Sequence, residues 1–476
     1  MNLCPASPVK KSILILNTLN NTRKTQYPMY HPTQTKRNLF HWLLAPALLL
    51  SVVARAQQQP PQDSLLQNPT LDKVVEYALT HQPQVQQALA DQEITDRIIQ
   101  GKLADWYPQL NFAANYQRNI DLQTSIIGGN PVRFGVNNTS SLQFTGTQTI
   151  FNRDVLLARS TASKVRIQAS QNTSASKIDV VVNVTKAFYD VLATSQQIRV
   201  GEEDIIRLQR SLKDATAQYN AGVADKTDYK RATILLANAK ATLKTNQEML
   251  VYKQEQLKTL MGYPVRGGLQ IVYDTLQMER EIDLDTTQTL SYASHIDYKL
   301  MITQRELQEA NVKYAWWGFI PSLNAFGAYF LNYQNNNFGE LYNQRYPNSY
   351  VGATFSFPIF QGMKRVAKVQ EQRWTLRKLD WSVKNLESNL STEYTRSLAA
   401  YKSNLATYLA LKENVELARE VYDVIQLQYK SGIRAYLDVT VAETDLRTAR
   451  INYFNALYQV LASKIDVQRA LGQINY

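Results

Sequence analysis

The chain has a single cysteine, Cys4, and only four histidines in 476 residues. One thiol excludes an internal disulfide, and isolated histidines without a neighbouring cysteine or carboxylate triad make no metal site. His81 and His295, which stand just ahead of Pro83 and Asp297, therefore read as structural. Phosphate-binding loops, nucleophile elbows and metalloprotease helices are missing too, so the sequence points away from an enzyme and implies no cofactor. Long apolar runs are lacking. The most conspicuous one, Leu39 to Val53, is shorter than the roughly 20 residues a helix needs to span a bilayer. Proline is absent from Phe151 to Gly222 and again from Phe360 to Gly432. A helix filling either gap would be roughly 100 Å long, far beyond a typical globular helix.

What is present begins with an export signal. Lys36 and Arg37 precede the apolar run, and Ala54-Arg55-Ala56 follows it ahead of Gln57. A charged segment, a short apolar segment and a small-x-small site are the parts of a secretory leader, here residues 1–56. The segment before Lys36 is long for such a leader, which leaves Met29 open as an alternative start. The leader holds seven basic and no acidic residues, so the 52 basic and 40 acidic residues of the whole chain become 45 and 40 after cleavage. The net charge then falls from +12 to +5, a weak case for nucleic-acid binding. Cleavage after Ala56 also removes Cys4, and Gln57 in place of a cysteine means no lipid anchor is expected.

The remainder is duplicated. Tyr107-Pro108-Gln109-Leu110 recurs as Ile320-Pro321-Ser322-Leu323, and Gln148-Thr149-Ile150-Phe151 as Phe357-Pro358-Ile359-Phe360. Gln218-Tyr219-Asn220-Ala221-Gly222 recurs as Gln428-Tyr429-Lys430-Ser431-Gly432, and Leu260-Met261-Gly262 as Ala470-Leu471-Gly472. These landmarks keep one order at offsets of 213, 209, 210 and 210. The first unit covers 57–262, with strands expected near 109–118 and 140–151 and long helices near 153–220 and 225–261. The second covers 290–476, with strands near 322–333 and 350–360 and helices near 361–430 and 436–471. Residues 263–289 join them.

Seven-residue spacing of Leu236, Leu243, Leu250 and Leu257, repeated by Leu446, Tyr453, Val460 and Val467, predicts coiled-coil packing of the rods. Leu110, Phe112, Ala114 and Tyr116 alternate with more polar neighbours, as do Leu142 and Phe144 and, in the second unit, Val351, Ala353 and Phe355. Period-two segments of about ten residues suit strands with lipid on one side and water on the other, and also suit half-buried strands of a soluble sheet. Long joining loops rich in Asn, Gly and Tyr, Asn119 to Thr139 and Gln334 to Ser349, favour the membrane reading. So do aromatics at the strand ends, such as Tyr116, Phe151, Tyr329, Tyr333, Tyr350 and Phe360. Four strands cannot close a barrel, and lipid does not tolerate open sheet edges. Oligomerisation is therefore expected, and three chains would supply about twelve strands.

The segment Tyr429-Lys-Ser-Gly432-Ile-Arg434-Ala-Tyr-Leu-Asp438-Val439, followed by Ala470-Leu471-Gly472, resembles the last helix–turn–helix of TolC-like outer membrane efflux proteins. Tyr219 to Gly222 and Thr227-Asp228 resemble its counterpart in the other half. The resemblance extends over essentially the whole mature chain. It implies a mainly α fold with β, a duplicated helix–β-hairpin–helix unit, and a homotrimer in which an α-helical barrel continues a 12-stranded transmembrane β-barrel. Segment 263–289 would join an equatorial belt. Such a protein sits in the cell outer membrane and acts as the passive exit duct of a tripartite efflux or type I secretion system. A periplasmic adaptor (membrane fusion) protein and an inner-membrane pump of the RND, ABC or MFS type open it.

Carried over position by position, Tyr429 and Arg434 match residues that hold the closed periplasmic tip, and Thr227 and Asp228 match their partners. An arginine fork and a carboxylate suit such a latch, although an exposed pair is ordinarily worth only about 0–1 kcal/mol. Asp438 matches an aspartate ringing the narrow tip, where one carboxylate per chain would favour cations. Val441 stands where the best-known members carry a second acid, which puts a second ring in doubt. Two other classes compete. An exported trimeric coiled-coil structural or adhesive protein would share the rods but would not need two amphipathic hairpins at matched points of a duplication. A periplasmic adaptor subunit would carry one helical hairpin, not two.

Overall fold

The computed structural model describes residues 69–476, apart from 224, 265–266, 270 and 272–274. The leader proposed for 1–56, with Cys4 and Gln57, lies outside the described residues. Two short helices, α1 (Leu71–His81) and α2 (Pro83–Ala104), lead to strand β1 (Gln109–Arg118). After β2 (Gln123–Ile127), β3 (Asn130–Phe134) and β4 (Asn138–Phe151) come the long helix α3 (Arg153–Asn220) and α4 (Lys226–Met261). A short α5 (Thr275–Arg280) precedes the second unit: α6 (Ile296–Trp316), β5 (Ser322–Asn335), β6 (Arg345–Ser356), α7 (Lys364–Lys430) and α8 (Tyr436–Ala470).

Helix α3 has 68 residues and α7 has 67, so each is a rod of roughly 100 Å at 1.5 Å per residue. Such rods are stable only through their neighbours. Near the strands, α2 packs on α3, α3 on α6, and α6 on α7. Towards the far end, α4 packs on α3, α3 on α8, and α8 on α7. Every long helix ends the same way. Gly222, Gly262, Gly432 and Gly472 adopt φ of 73°, 69°, 74° and 68°. The next residue in each case, Val223, Tyr263, Ile433 or Gln473, donates its N–H to a carbonyl five residues back. This is the Schellman closure, which satisfies two orphan carbonyls and needs a residue free to enter the left-handed region.

The main core surrounds the middle of the rods. Val184, Phe188 and Leu192 of α3, Leu257 and Met261 of α4, Tyr401 and Tyr408 of α7, and Leu457 and Leu461 of α8 are buried together. The connecting segment contributes Met278 and Ile282, and the Tyr401 hydroxyl donates to the Ile282 carbonyl at 2.9 Å. The two histidines belong to this scaffold. His81 stacks on Tyr77 with ring centroids 4.0 Å apart, and His295 accepts from the Asp297 N–H at the start of α6. A side chain at Gly262 would collide with the His81 backbone, and one at Gly472 with that of Ser294 and His295. The equivalent close approaches in the two repeats give both histidine positions a packing role.

The four longer strands form one antiparallel sheet in the order β1-β4-β5-β6, so hairpins from the two repeats meet along β4 and β5. Register aligns Leu110 with Gly146, Gly327 and Val351, and Phe112 with Phe144, Tyr329 and Ser349. One face therefore carries Leu110, Phe112, Leu142, Phe144, Leu331, Val351 and Phe355. The opposite face carries Asn111, Asn115, Gln143, Thr145 and Asn324, interrupted by Phe326, Phe330 and Tyr350. Strands β1 and β6 are the sheet's two outer strands within the chain.

Three local expectations are corrected. The first outer loop contains a hairpin, β2–β3, turned by Gly128 and Gly129 at positive φ; a two-residue Gly-Gly turn suits a hairpin. Strands β4 and β6 begin earlier than the alternation suggested, at Asn138 and Arg345. Finally, β6 stops at Ser356 instead of continuing to 360, and α7 starts at Lys364 instead of 361. Pro358 has no N–H for the ladder. The Arg365 guanidinium binds the Pro358 carbonyl, and the chain turns through left-handed Gly362 and Met363.

Candidate functional site: the helical tip and the family match

The end of the helical wall farthest from the sheet is built by two equivalent turns, α3–α4 and α7–α8. In the first, the Asp225 carboxylate accepts the Thr227 N–H at 2.7 Å, capping α4. That backbone hydrogen bond holds the Asp225 carboxyl below its ordinary range. Thr227 is exposed and Asp228 half-buried in the first turn of α4. In the second turn, Tyr429 lies at the end of α7, Arg434 in the connection and Asp438 in the first turn of α8.

Of the residues expected to act together, Tyr429 reaches the other helix pair. Its hydroxyl donates to Gln218 Oε1 at 2.8 Å, and its ring lies 5.8 Å from that of Tyr436. Tyr436 is buried with Ala215 and Ala232, and its hydroxyl accepts from Ser211 at 3.1 Å. Burial raises both phenol pKa values, and the nearby Asp228 charge adds to the rise.

Arg434 is arranged differently from the expectation. Its Nε donates to Gln428 Oε1 at 3.2 Å, and its Nη1 lies 3.7 Å from the Asp438 carboxylate, both on its own side of the tip. The pair is four residues apart and about half exposed, with the arginine in the turn before α8 and the aspartate in its first turn. Asp228 thus approaches the tyrosines, while the arginine engages Asp438. Sequence reading missed Gln218, Gln428, Ser211 and Tyr436. Gln218 and Gln428 open the repeated Gln-Tyr-x-x-Gly motif, so the signal was there; that the equivalent glutamines bind different partners was not.

Higher in the wall, charge is buried. Asp204 of α3 is 1% exposed and Glu443 of α8 7%. Arg207 binds Asp204 directly and brings its Nε within 3.9 Å of Glu443. Burial pushes the Glu443 carboxyl up and the Arg207 guanidinium down, while their mutual attraction opposes both shifts. Beside them Arg450 binds Glu203 at 2.7 Å. These groups tie α3 to α8, the contact between the two repeats.

Among the described residues, no helix is long and apolar enough to cross a membrane, and no group of three His, Cys, Asp or Glu could hold a metal ion. The profile of the family described as outer membrane efflux protein matches residues 74–263 and 297–473, taking in both repeats.

The chain belongs to the outer membrane efflux protein family.

Outer membrane protein TolC of Escherichia coli K12 is 21% identical over 437 residues, covering 87% of this chain and 84% of that protein. Two solved structures have the same fold. VceC of Vibrio cholerae superposes with a TM-score of 0.66 at 15% identity, covering 84% of this chain and 96% of that one. The CmeC outer membrane channel of Campylobacter jejuni superposes with a TM-score of 0.69 at 16% identity, covering 85% of each chain. This efflux protein is accordingly an outer membrane channel with a long periplasmic helical extension, and it is not an enzyme. Its apolar sheet face is the one suited to lipid.

Proposed function

We propose that this efflux protein is the passive exit duct of a tripartite efflux or type I secretion system. It works as a homotrimer opened by a periplasmic adaptor protein and an inner-membrane pump of the RND, ABC or MFS type. One observation carries the reading: a four-stranded antiparallel sheet with one apolar face and two open edges stands on a wall of long helices. Unpaired backbone groups cannot be left facing hydrocarbon. Three sheets closing edge to edge, β6 of one chain on β1 of the next, give about twelve strands and leave no edge.

At the tip, Tyr429, Arg434, Thr227 and Asp228 form the periplasmic latch, and Asp438 the constriction. The Tyr429–Gln218 bond between the two helix pairs supports the first assignment. The Arg434–Asp438 contact supports a resting arrangement in which the arginine partly neutralises the acid it would otherwise leave facing the opening. The duct is tested by reconstituting the purified protein in planar bilayers and measuring its mass in detergent by light scattering. Three chains per particle and discrete conductance steps are expected. A stable monomer with native helix content and no conductance would overturn the reading.

A further inference from the structure

The four segments that link strands to helices, 102–108, 151–160, 313–321 and 357–368, hold seven basic and two acidic residues. One of the two acids, Asp154, accepts the Tyr314 hydroxyl at 2.5 Å. The positive charge is concentrated rather than cancelled. Arg153, the first residue of α3, and Arg365, in the first turn of α7, meet over the buried Gly318. A Cβ on that glycine would lie 2.8 Å from Arg153 Nη1 and 3.8 Å from Arg365 Cδ.

Neutral groups hold both guanidiniums in place. Arg365 donates from Nη1 to the Gly318 carbonyl at 3.3 Å, from Nη2 to the Pro358 carbonyl and from Nε to Gln361 Oε1 at 3.1 Å. Its guanidinium also lies 5.1 Å from the centre of the Phe319 ring, and that of Arg153 lies 4.8 Å from the centre of the Tyr314 ring. Among the described residues neither is ion-paired with a carboxylate, whereas Lys164, Arg166 and Lys368, farther along the same helices, bind Glu306, Asp96 and Glu371. Two fixed, unneutralised guanidiniums side by side suit a phosphate, whose oxygens match their planar forks. Their position is on the lipid-suited side of the sheet. Phe151 is opposite Leu323, and Leu323 opposite Phe355, in the apolar rows. Extended Asn152, with φ −146° and ψ 136°, then carries Arg153 to the side of Phe151, two residues on.

The same face holds an apolar trough of about 590 Å³, lined by Leu110, Phe112, Phe144, Gly146, Gly327 and Val351 among others. Its floor is the glycine pair, which the register sets side by side on β4 and β5. A Cβ at Gly146 would lie 3.2 Å from Leu110 Cδ2, and one at Gly327 3.4 Å from Val351 Cγ1, so Leu110 and Val351 form the walls. Phe151 follows Gly146 by five residues, about 17 Å of strand at about 3.4 Å each. Arginines and trough are therefore within reach of a single acyl chain and its headgroup.

We propose that the foot of β4 and β5 is a binding site for one anionic glycerophospholipid per chain, its phosphate on Arg153 and Arg365 and one acyl chain in the Gly146–Gly327 trough. The site rests on the apolar sheet face being the one that meets lipid. Complementarity commits it to this occupant. A free anion would satisfy the arginines and leave the trough empty, and an uncharged lipid would fill the trough and leave the arginines unneutralised. Because the arginines lie at the helical end of the sheet, the lipid comes from the leaflet facing the periplasm. Exposed Trp316 and Phe319 stand beside them, as aromatic side chains do at headgroup level. Basic pockets at a membrane surface recognise anionic headgroups by the same pairing of fixed cations with phosphate.

The test reconstitutes the purified channel into nanodiscs of phosphatidylcholine with a minor share of phosphatidylglycerol bearing the same acyl chains. After transfer to detergent, the retained lipids are counted by native mass spectrometry. Phosphatidylglycerol should be retained well above its share of the bilayer, and retention in proportion to the bilayer would overturn the site. Arg153→Gln leaves the Arg365 contacts with Gly318 and Pro358 in place and should lower that enrichment about ten-fold, the loss of one charge-assisted contact. An enrichment equal to the parent's would count against the proposal as decisively. Gly146→Leu, which fills the trough, should reduce retention of both lipids; unchanged retention would rule out the seated chain. Excess inorganic phosphate should leave the lipid bound, whereas complete displacement would reveal a phosphate site with no chain in the trough and overturn the proposal. A parent protein that does not enter the bilayer would instead overturn the lipid-facing reading of the sheet on which the site rests.

Discussion

Replacing Tyr429 by Phe removes one hydroxyl from the tip and leaves the ring that packs beside Tyr436. The lost contact is the 2.8 Å bond to Gln218, made between half-buried neutral groups. Such a bond is worth about 0.5–1.5 kcal/mol. If the three tips of a trimer release together, the closed state loses about 1.5–4.5 kcal/mol. At about 1.4 kcal/mol per factor of ten, the open-to-closed ratio should rise by roughly ten-fold to a thousand-fold. Water can reach a half-buried amide and replace part of the bond, so the lower end is expected. The assay is single-channel recording in planar bilayers, comparing the parent with Tyr429→Phe and with Gln218→Leu. Both variants should raise the open fraction by similar factors, and the double variant should add little, since each removes the same bond. Parent-like open fractions in correctly assembled trimers of both single variants would refute the latch role of Tyr429.

Asp438→Asn should reduce cation selectivity, seen as a smaller reversal potential in a salt gradient, with thermal stability nearly unchanged because the Arg434 pair is about half exposed. An identical reversal potential would make Asp438 a solvated helix residue. Arg434→Ser combined with Asp228→Ala, which removes the arginine beside Asp438 and the acid beside the tyrosines, should raise conductance without lowering the thermal midpoint; a lowered midpoint would mark the two residues as structural. Arg207→Leu should cost about 3–5 kcal/mol in a denaturant melt, because it strands the buried Asp204 and Glu443 carboxylates without their cation; a loss below about 1 kcal/mol would show water entering the site. Glu443 has a folded pKa above its usual 4.5, so the folded state holds that proton more tightly. Its contribution to stability therefore falls as pH rises from 4.5 through the raised value. Glu443→Gln should flatten the pH dependence in that window, and an unchanged profile would refute the assignment.

The rods, their turns and the phase of the strands could be read locally because each depends on residues near in sequence. Absence of proline over two long gaps, four repeated glycines and a seven-residue apolar spacing are enough to specify long helices closed by left-handed turns. The early stop of β6 was harder to read: Pro358 was visible, but the Arg365 guanidinium that draws its carbonyl out of the ladder is positioned by the start of α7. The β2–β3 hairpin had its Gly-Gly turn in plain view, yet a polar, glycine-rich loop carries too little apolar alternation to announce strands.

What the sequence determined by itself is the duplicated architecture, the alternation of lipid-suited and polar strand positions, and the heptads, all consequences of local periodicity. Which side chains meet across the two repeats was decided only by the tertiary structure. Arg434 had two acidic candidates, Asp228 and Asp438, and the turn geometry gave it the one four residues away. Gln218 and Gln428 are equivalent in sequence, yet one receives Tyr429 from the opposite helix pair and the other receives Arg434 from its own turn. Asp204, Arg207 and Glu443 look like ordinary surface charges in a polar helix, and become buried only because α3 and α8 pack face to face. Pairing over more than two hundred residues depends on relative helix rotation and height, and no local pattern in the chain encodes either.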